Sequence, residues 1–267
     1  DELRRVLPDT ELLLVGAEPY DFYNRMAITR LVSESASIDS LYLNRRDWAE
    51  SRRVDFRRGV QATEIDRQNR EVTIADGERL EYDKVIIATG ARPYVPDVPL
   101  GGVATVQAWD VLAGPLPTGR RVVVADWGGD ASGLASAELL ARAGNDVVLA
   151  VGSATLGETL HQYQRSLYAQ RLYRSRVKIL HHLELVAAEP GAVRFCNLFA
   201  PDLETALPAD LLVLALGRVP ERVLAEELAA RGLPVKEVGD CLGPRSAEEA
   251  ILEGTLAAAD LAVTKIR

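Results

Sequence analysis

Residues 121–151 constrain the fold of this chain more than any other stretch. Arg121–Asp126 (RVVVAD) is an apolar run of strand length without polar alternation, the pattern of a strand buried on both faces. Trp127–Ser132 follows as a glycine-containing turn. Gly133–Arg142 then places Leu134, Ala137, Leu140 and Ala141 on one helical face, Gly144-Asn145 closes the helix, and Asp146–Val151 is a second apolar run. Strand, helix and strand at these lengths form a βαβ crossover, which demands a parallel sheet.

The rest of the chain alternates in the same way. Glu11–Gly16, Lys84–Ala88, Lys178–Leu183, Asp210–Leu216 and Val235–Val238 read as further strands. Helices are predicted at the start (DELRRVL), at 158–174, at 221–231 and at 247–263. Residues 55–87 read as a β meander with turns at 66–70 and 76–77, and 184–208 as a β-rich return. Prolines and glycines crowd residues 91–120 and mark a boundary. This is an α/β pattern of the doubly wound type.

With 39 acidic against 31 basic residues the net charge is -8, which argues against a general nucleic-acid binder. Cys196 and Cys241 make no CxxC and no disulfide framework, as in a reducing, cytoplasmic setting. No apolar run reaches about 18 residues, so neither a membrane-spanning helix nor a signal peptide is expected. His161, His181 and His182 have no evident partners for a metal site. The pairs Arg45-Arg46, Arg52-Arg53 and Arg57-Arg58 read as a solvated basic face, or as a contact for an acidic partner or a cofactor phosphate. The sole methionine is Met26 and the chain opens with Asp1.

Four places could carry chemistry. Glu18 ends an apolar strand, where a carboxylate accepts hydrogen bonds from ribose hydroxyls; a strand-end glutamate is equally at home in solvent. Ala88-Thr89-Gly90-Ala91-Arg92-Pro93 follows a second apolar strand, and Ala215-Leu216-Gly217-Arg218-Val219-Pro220 repeats its form about 127 positions later. Small residues there let the backbone approach a ligand at the strand's carboxyl end. Gly128, Gly129 and Gly133 form the turn into the helix of the βαβ unit, where a pyrophosphate would meet the helix N-terminus. That turn is an irregular GxGxxG, and Gly152-Ser153 stands where an acid is expected after the next strand. Gly239-Asp240 precedes the last helix; Asp240 suits a polyol hydroxyl, or a simple turn.

In this order, Glu18, ATGARP, the Rossmann-like unit, ALGRVP and the late Gly239-Asp240 resemble the two-dinucleotide-binding flavoprotein superfamily, the pyridine-nucleotide-dependent FAD oxidoreductases. Val15–Arg25 (VGAEPYDFYNR) is similar to the start of the FAD domain of NADH-dependent nitrite reductases and rubredoxin or ferredoxin reductases. VVVADWGGDASGLASAELLARAG and VGDCLGPRSAEEAILEG are similar to the C-terminal module of dienoyl-CoA reductase and trimethylamine dehydrogenase. The resemblance implies an α/β fold of two Rossmann-like, three-layer dinucleotide-binding domains, the second inserted in the first. An FAD domain would comprise 1–112 and 217–267, and an NAD(P) domain 113–216. It implies that Glu18 and Asp240 bind the ADP ribose and the ribityl chain of FAD. Arg25 would lie near the FAD phosphates, and Arg30, where the family has Lys, near the flavin.

The resemblance also shows departures. The family's first strand with its GxGxxG is missing before Asp1, so another domain or chain is expected to supply it. The redox cysteine pair of disulfide reductases is absent. The expected function is therefore an oxidoreductase module that uses FAD and NAD(P)H and delivers electrons to a separate acceptor. That acceptor would be an iron–sulfur protein, another flavin or a small molecule. No side chain is required as acid or base. The alternative is a non-catalytic module that binds ADP within a larger flavoenzyme.

Overall fold

The structure, a computed structural model, describes residues 2–23, 37–44, 47–66, 68–232 and 235–265. The chain divides into two compact units: Asp1–Ala91 with Pro220–Arg267, and Arg92–Val219.

The first unit opens with α1 (Glu2–Val6), β1 (Leu12–Gly16), α2 (Trp48–Ser51) and β2 (Val54–Arg58). β1 and β2 pair in parallel, Leu12 opposite Val54 and Gly16 opposite Arg58. The sequence reading put β2 into the meander; its pairing with the apolar β1 overrides that. Arg4 fastens this region, since its guanidinium donates to the carbonyls of Pro8, Thr10, Arg52 and Arg53. The meander itself is β3 (Ala62–Asp66), β4 (Glu71–Ile74) and β5 (Arg79–Glu81), antiparallel throughout. Its turns form as the sequence implies. Asp66 Oδ1 accepts the Gln68 and Asn69 amides, and Asp76 Oδ1 accepts that of Glu78 beside Gly77 at φ 89°. β6 (Ile86–Ile87) is shorter than the strand expected at 84–88.

In the second unit and at its borders lie β7 (Ala91–Pro93), β8 (Ala104–Gln107), α3 (Ala108–Ala113), β9 (Arg121–Asp126), α4 (Ala131–Arg142) and β10 (Asp146–Val151). α5 (Gln162–Arg174), β11 (Lys178–His181), β12 (Leu183–Glu189), β13 (Ala192–Asn197), β14 (Ala200–Pro208), β15 (Leu211–Ala215) and β16 (Arg218–Pro220) follow. A five-stranded parallel sheet runs β11-β10-β9-β15-β8. β8 pairs with β15 from Ala104 opposite Leu211, which draws residues 104–107 into this unit instead of the first. Period-two alternation sorts the central strands onto two faces. Val122, Val124, Leu149 and Val213 pack with Leu134, Leu140 and Leu172 of the helices. Val123, Ala125, Ala150 and Leu212 pack with Val193, Phe195 and Leu207 of the antiparallel sheet β12-β13-β14. The second face is thus covered by strands where a doubly wound pattern would put helices. At the amino end of the sheet the Arg121 guanidinium pairs with Asp210 and holds its carboxyl down at about 2.

The first unit closes with α6 (Val223–Ala230), β17 (Lys236–Glu237) and α7 (Ala247–Lys265). β17 pairs in parallel with β6, Lys236 opposite Ile86. Ile65, Ile87, Leu228 and Cys241 form this unit's buried cluster. No helix among the described residues is long and apolar enough to cross a membrane.

Candidate functional site

In the first unit the candidate residues sit at carboxyl ends of parallel strands, where open α/β sheets bind their ligands. The Glu18 carboxylate is exposed just beyond β1; it accepts the Tyr23 hydroxyl at 3.1 Å, and its carbonyl accepts the Gly59 amide at 2.9 Å. Arg25 and Arg30 lie outside the described residues. Thr89 and Gly90 follow β6. The Thr89 hydroxyl donates to the Glu221 carbonyl at 2.6 Å, and the Glu221 amide donates back to the Gly90 carbonyl at 3.0 Å. Gly90 has φ 80° and no atom within 4 Å of where a Cβ would stand, so bare backbone faces open space.

Gly239 and Asp240 follow β17, the strand beside β6, and the Val238 amide donates to the Ile87 carbonyl at 3.1 Å. So Thr89-Gly90 and Gly239-Asp240 are brought to one edge. Gly239 has φ 72°, and its amide donates to Glu253 Oε2 at 2.7 Å. Glu253 also pairs with Arg245, and Asp240 Oδ1 accepts the Arg245 amide at 3.3 Å. The sequence reading missed Glu253, because its partner lies 14 positions away across a turn. The chain passes between the units at 91/92 and 219/220, where β7 pairs with β16. ATGARP and ALGRVP therefore each run into one strand of the same two-stranded sheet. Ala91 opens β7, and Arg92 is exposed on it.

In the second unit all three turn glycines are demanded by geometry. A Cβ on Gly128 would stand 2.8 Å from the Gly217 nitrogen. Gly129 has φ 62°. A Cβ on Gly133 would stand 2.8 Å from Asp126 Cγ and 3.0 Å from Ala215 Cβ. The Trp127 and Gly128 amides both donate to the Ala215 carbonyl, at 3.1 and 2.9 Å, and the Gly217 carbonyl accepts the Tyr94 amide at 3.0 Å. Gly128 and Gly217 are thus neighbours across the ends of β9 and β15.

Two carboxylates occupy this turn. Asp130 caps α4: its Oδ1 accepts the Ser132 amide at 2.8 Å. Asp126, the last residue of β9, is 2% exposed; its Oδ1 accepts the Gly129 amide at 3.1 Å, and its Oδ2 has no hydrogen-bond partner. Burial, reinforced by the nearby Asp130 charge, pushes the Asp126 carboxyl up to about 7. Asp126 passed in the sequence as the end of a strand; a lone acid closing a run of four apolar residues was the available clue. Trp127 lies over Gly152, where a Cβ would come within 1.8 Å of its indole, so the indole covers the place after β10 that usually carries an acid. Asp126 and Trp127 help line a cavity of about 220 Å³ with Tyr94, Asp97, Glu184 and Phe195.

The cysteines are free; Cys241 is buried, with its thiol 3.1 Å from the Val238 carbonyl. Among the described residues no group of three His, Cys, Asp or Glu could hold a metal. Of the basic pairs, Arg57 meets Asp55 and Glu78, and Arg58 meets Asp21. Arg53 donates to the Pro8 carbonyl. Arg45 and Arg46 lie outside the described residues.

The profile of the pyridine nucleotide-disulphide oxidoreductase family matches residues 2–254. The chain belongs to this family. The family's proteins are NAD(P)H-dependent flavoprotein oxidoreductases that use FAD and NAD(P)H. This member's two cysteines form no pair. The chain is 27% identical over 222 residues to the assimilatory nitrate reductase electron transfer subunit of Bacillus subtilis, covering 80% of this chain and 28% of that protein. It is 29% identical over 212 residues to putidaredoxin reductase of Pseudomonas putida, covering 75% of this chain and 49% of that one. The chain thus spans between a quarter and a half of these relatives. Among solved structures, putidaredoxin reductase in its covalent complex with putidaredoxin superposes with a TM-score of 0.67 at 24% identity, over 98% of this chain and 71% of that one. A histamine dehydrogenase from Rhizobium superposes with 0.68 at 21% identity, over 94% and 44%. These likenesses bear out the two-dinucleotide-binding fold of the sequence reading.

Proposed function

We propose that the protein is an FAD-dependent oxidoreductase module whose first unit holds FAD and whose second unit, 92–219, holds NAD(P)H. A flavin held there would supply the chemistry of accepting a hydride from a reduced nicotinamide and passing electrons to a separate acceptor. The observation that carries this reading is the shared edge of β6 and β17. Gly90 there offers open backbone, and Gly239-Asp240 leaves the paired strand at the same end. In this reading Glu18 receives the adenosine ribose hydroxyls, Asp240 the ribityl hydroxyls, and Thr89 to Arg92 and Gly217 border the cofactors. Arg25 serves the phosphates and Arg30 the flavin edge. Among the described residues of the first unit, Glu18, Thr89, Gly90 and Asp240 follow carboxyl ends of parallel strands, a placement that supports FAD. Those of the second fit a nucleotide pyrophosphate at Gly128, Gly129 and Gly133, on a condition set by Asp126.

For the acceptor we propose an iron–sulfur protein. The support is that one relative is a ferredoxin–NAD(+) reductase component from Burkholderia cepacia, 28% identical over 263 residues. The free thiols agree with a cytoplasmic setting. The test is the absorbance spectrum of the purified protein, with its cofactor extracted and identified, before and after anaerobic NADH. A flavin spectrum bleached by NADH supports the reading; a protein that takes up no FAD overturns it. Trp127 over Gly152 favours a second reading, a module that binds ADP alone. Binding of ADP without NADH oxidation would establish that reading.

A further inference from the structure

The turn between β9 and α4 is built to leave one acid atom unanswered. Its amides are already engaged by its own carboxylates: Gly129 N–H by Asp126, and Ser132 N–H by Asp130. A pyrophosphate approaching the first turn of α4 would need such donors and would bring negative charge to two carboxylates. Asp130 is half-buried and can be rehydrated. Asp126 is far less accessible: it is 2% exposed, its carboxyl lies against Gly133 of α4 near Ala215 of β15, and the cavity it borders carries two further acids, Asp97 and Glu184, and no cation among the described residues.

The groups packed around Asp126 offer its charge no relief. α4 contributes Gly133 and β15 contributes Ala215, both without charge. β10 contributes Val151, opposite it in register. The turn contributes Gly129 and the like-charged Asp130, and Glu158 packs on Gly129 from the segment after β10. Among these described groups there is no cation. The partnerless Oδ2 is therefore an atom that a proton would convert from an uncompensated acceptor into a donor.

We propose that the second unit takes a pyridine nucleotide with a proton held on Asp126, so that this turn gates nucleotide affinity by pH. The inference rests on the reading that this unit is the NAD(P)H site. The proton removes the repulsion between the buried carboxylate and the incoming phosphates, and it leaves Oδ1 free to keep the Gly129 amide in place. Nucleotide binding then takes up close to one proton per site above neutral pH. The burial-raised titration of the group puts that uptake in the range where cells work. At lower pH the group is already protonated, and binding is independent of pH.

The experiment is calorimetric titration of the full chain with NADH, NADPH and ADP between pH 6 and pH 9, in buffers of different ionisation enthalpy, with Asp126→Asn in parallel. The expected result is an affinity that is level below about pH 7 and falls toward tenfold per pH unit above it, with proton uptake read from the buffer dependence. Asp126→Asn should bind with level affinity across the range. Level binding by the unaltered protein, or the same slope in Asp126→Asn, overturns the proposal and leaves the NAD(P)H reading standing. Failure of both proteins to bind any of the three nucleotides at any pH overturns the proposal and that reading together. If Asp126→Asn does not fold, proton uptake by the unaltered protein decides by itself, and its absence overturns the proposal.

Discussion

Asp126 makes its own cost to the fold measurable. Its carboxyl stands at about 7 against an ordinary 3.8, because it is buried without a partner for Oδ2. Between these two values the unfolded chain has released the proton and the folded chain still holds it. The folded state binds more protons there, so stability falls as pH rises and levels off above the folded value. Three units at about 1.4 kcal/mol each give a loss on the order of 4 kcal/mol between pH 4 and pH 8. Asp126→Asn keeps the acceptor for the Gly129 amide and removes the titration. Its buried amide nitrogen adds a constant penalty of about 1–3 kcal/mol, so the informative quantity is the change in the difference with pH. The assay is urea unfolding at pH 5, 6, 7 and 8, read by tryptophan fluorescence in a Trp48→Phe background, which leaves Trp109 and Trp127 of the second unit as reporters. About two of these units fall between pH 5 and pH 8, so the variant should gain on the unaltered protein by about 2.5–3 kcal/mol across the assay, a midpoint shift on the order of 1–3 M urea. A difference constant over this range would mean that Asp126 stays ionised in the fold, and would refute the reasoning.

Three further outcomes are expected. Glu253→Ala strips the Gly239 amide of its acceptor and Arg245 of its partner, so thermal unfolding should fall by about 1–3 kcal/mol in free energy and the flavin-to-protein ratio should drop with it. Glu18→Ala, with its carboxylate exposed, should leave the melting temperature in place and weaken FAD retention roughly 10- to 100-fold, measured by equilibrium dialysis of the reconstituted protein. Gly152→Ala forces a methyl into the Trp127 indole, and calorimetry should show a loss of about 1–3 kcal/mol together with a red-shifted tryptophan emission.

The sequence was most legible where burial is two-sided. β9, β10 and β15 are unbroken apolar runs, and each formed within a residue or so of its predicted span. The helices at the start, at 131–142, 162–174, 223–230 and 247–265 fell on predicted stretches, whereas Ala108–Ala113 was hidden in the stretch read as a boundary. Pairing partners were less legible: β2 has a polar-looking sequence, and nothing in it announces that it pairs in parallel with β1. β8 was hidden in a stretch of prolines and glycines, and its pairing with β15 moved the start of the second unit to Arg92. The glycines were read as places of close approach, and the structure supplies the neighbours, Gly217 for Gly128 and Asp126 for Gly133. Electrostatic character was the least legible, since whether an acid is costly depends on which backbones close over it. Asp126 and Asp130 look alike in the sequence, yet one is 2% exposed and the other caps a helix.

The parallel pairing of β6 with β17 also orders events during synthesis. Ile86 and Lys236 are separated by the whole second unit, so the ribosome needs roughly 10–30 s to deliver the partner after β6 has emerged. In that interval residues 92–219 have all emerged and can complete their own sheet, closed by β15 between β9 and β8. The inserted unit therefore matures first, and the unit that begins the chain matures last. Until α6 and β17 arrive, Ile65 and Ile87 have no cover from Leu228 and Cys241, so the newborn first half carries apolar surface that only the end of the chain can bury.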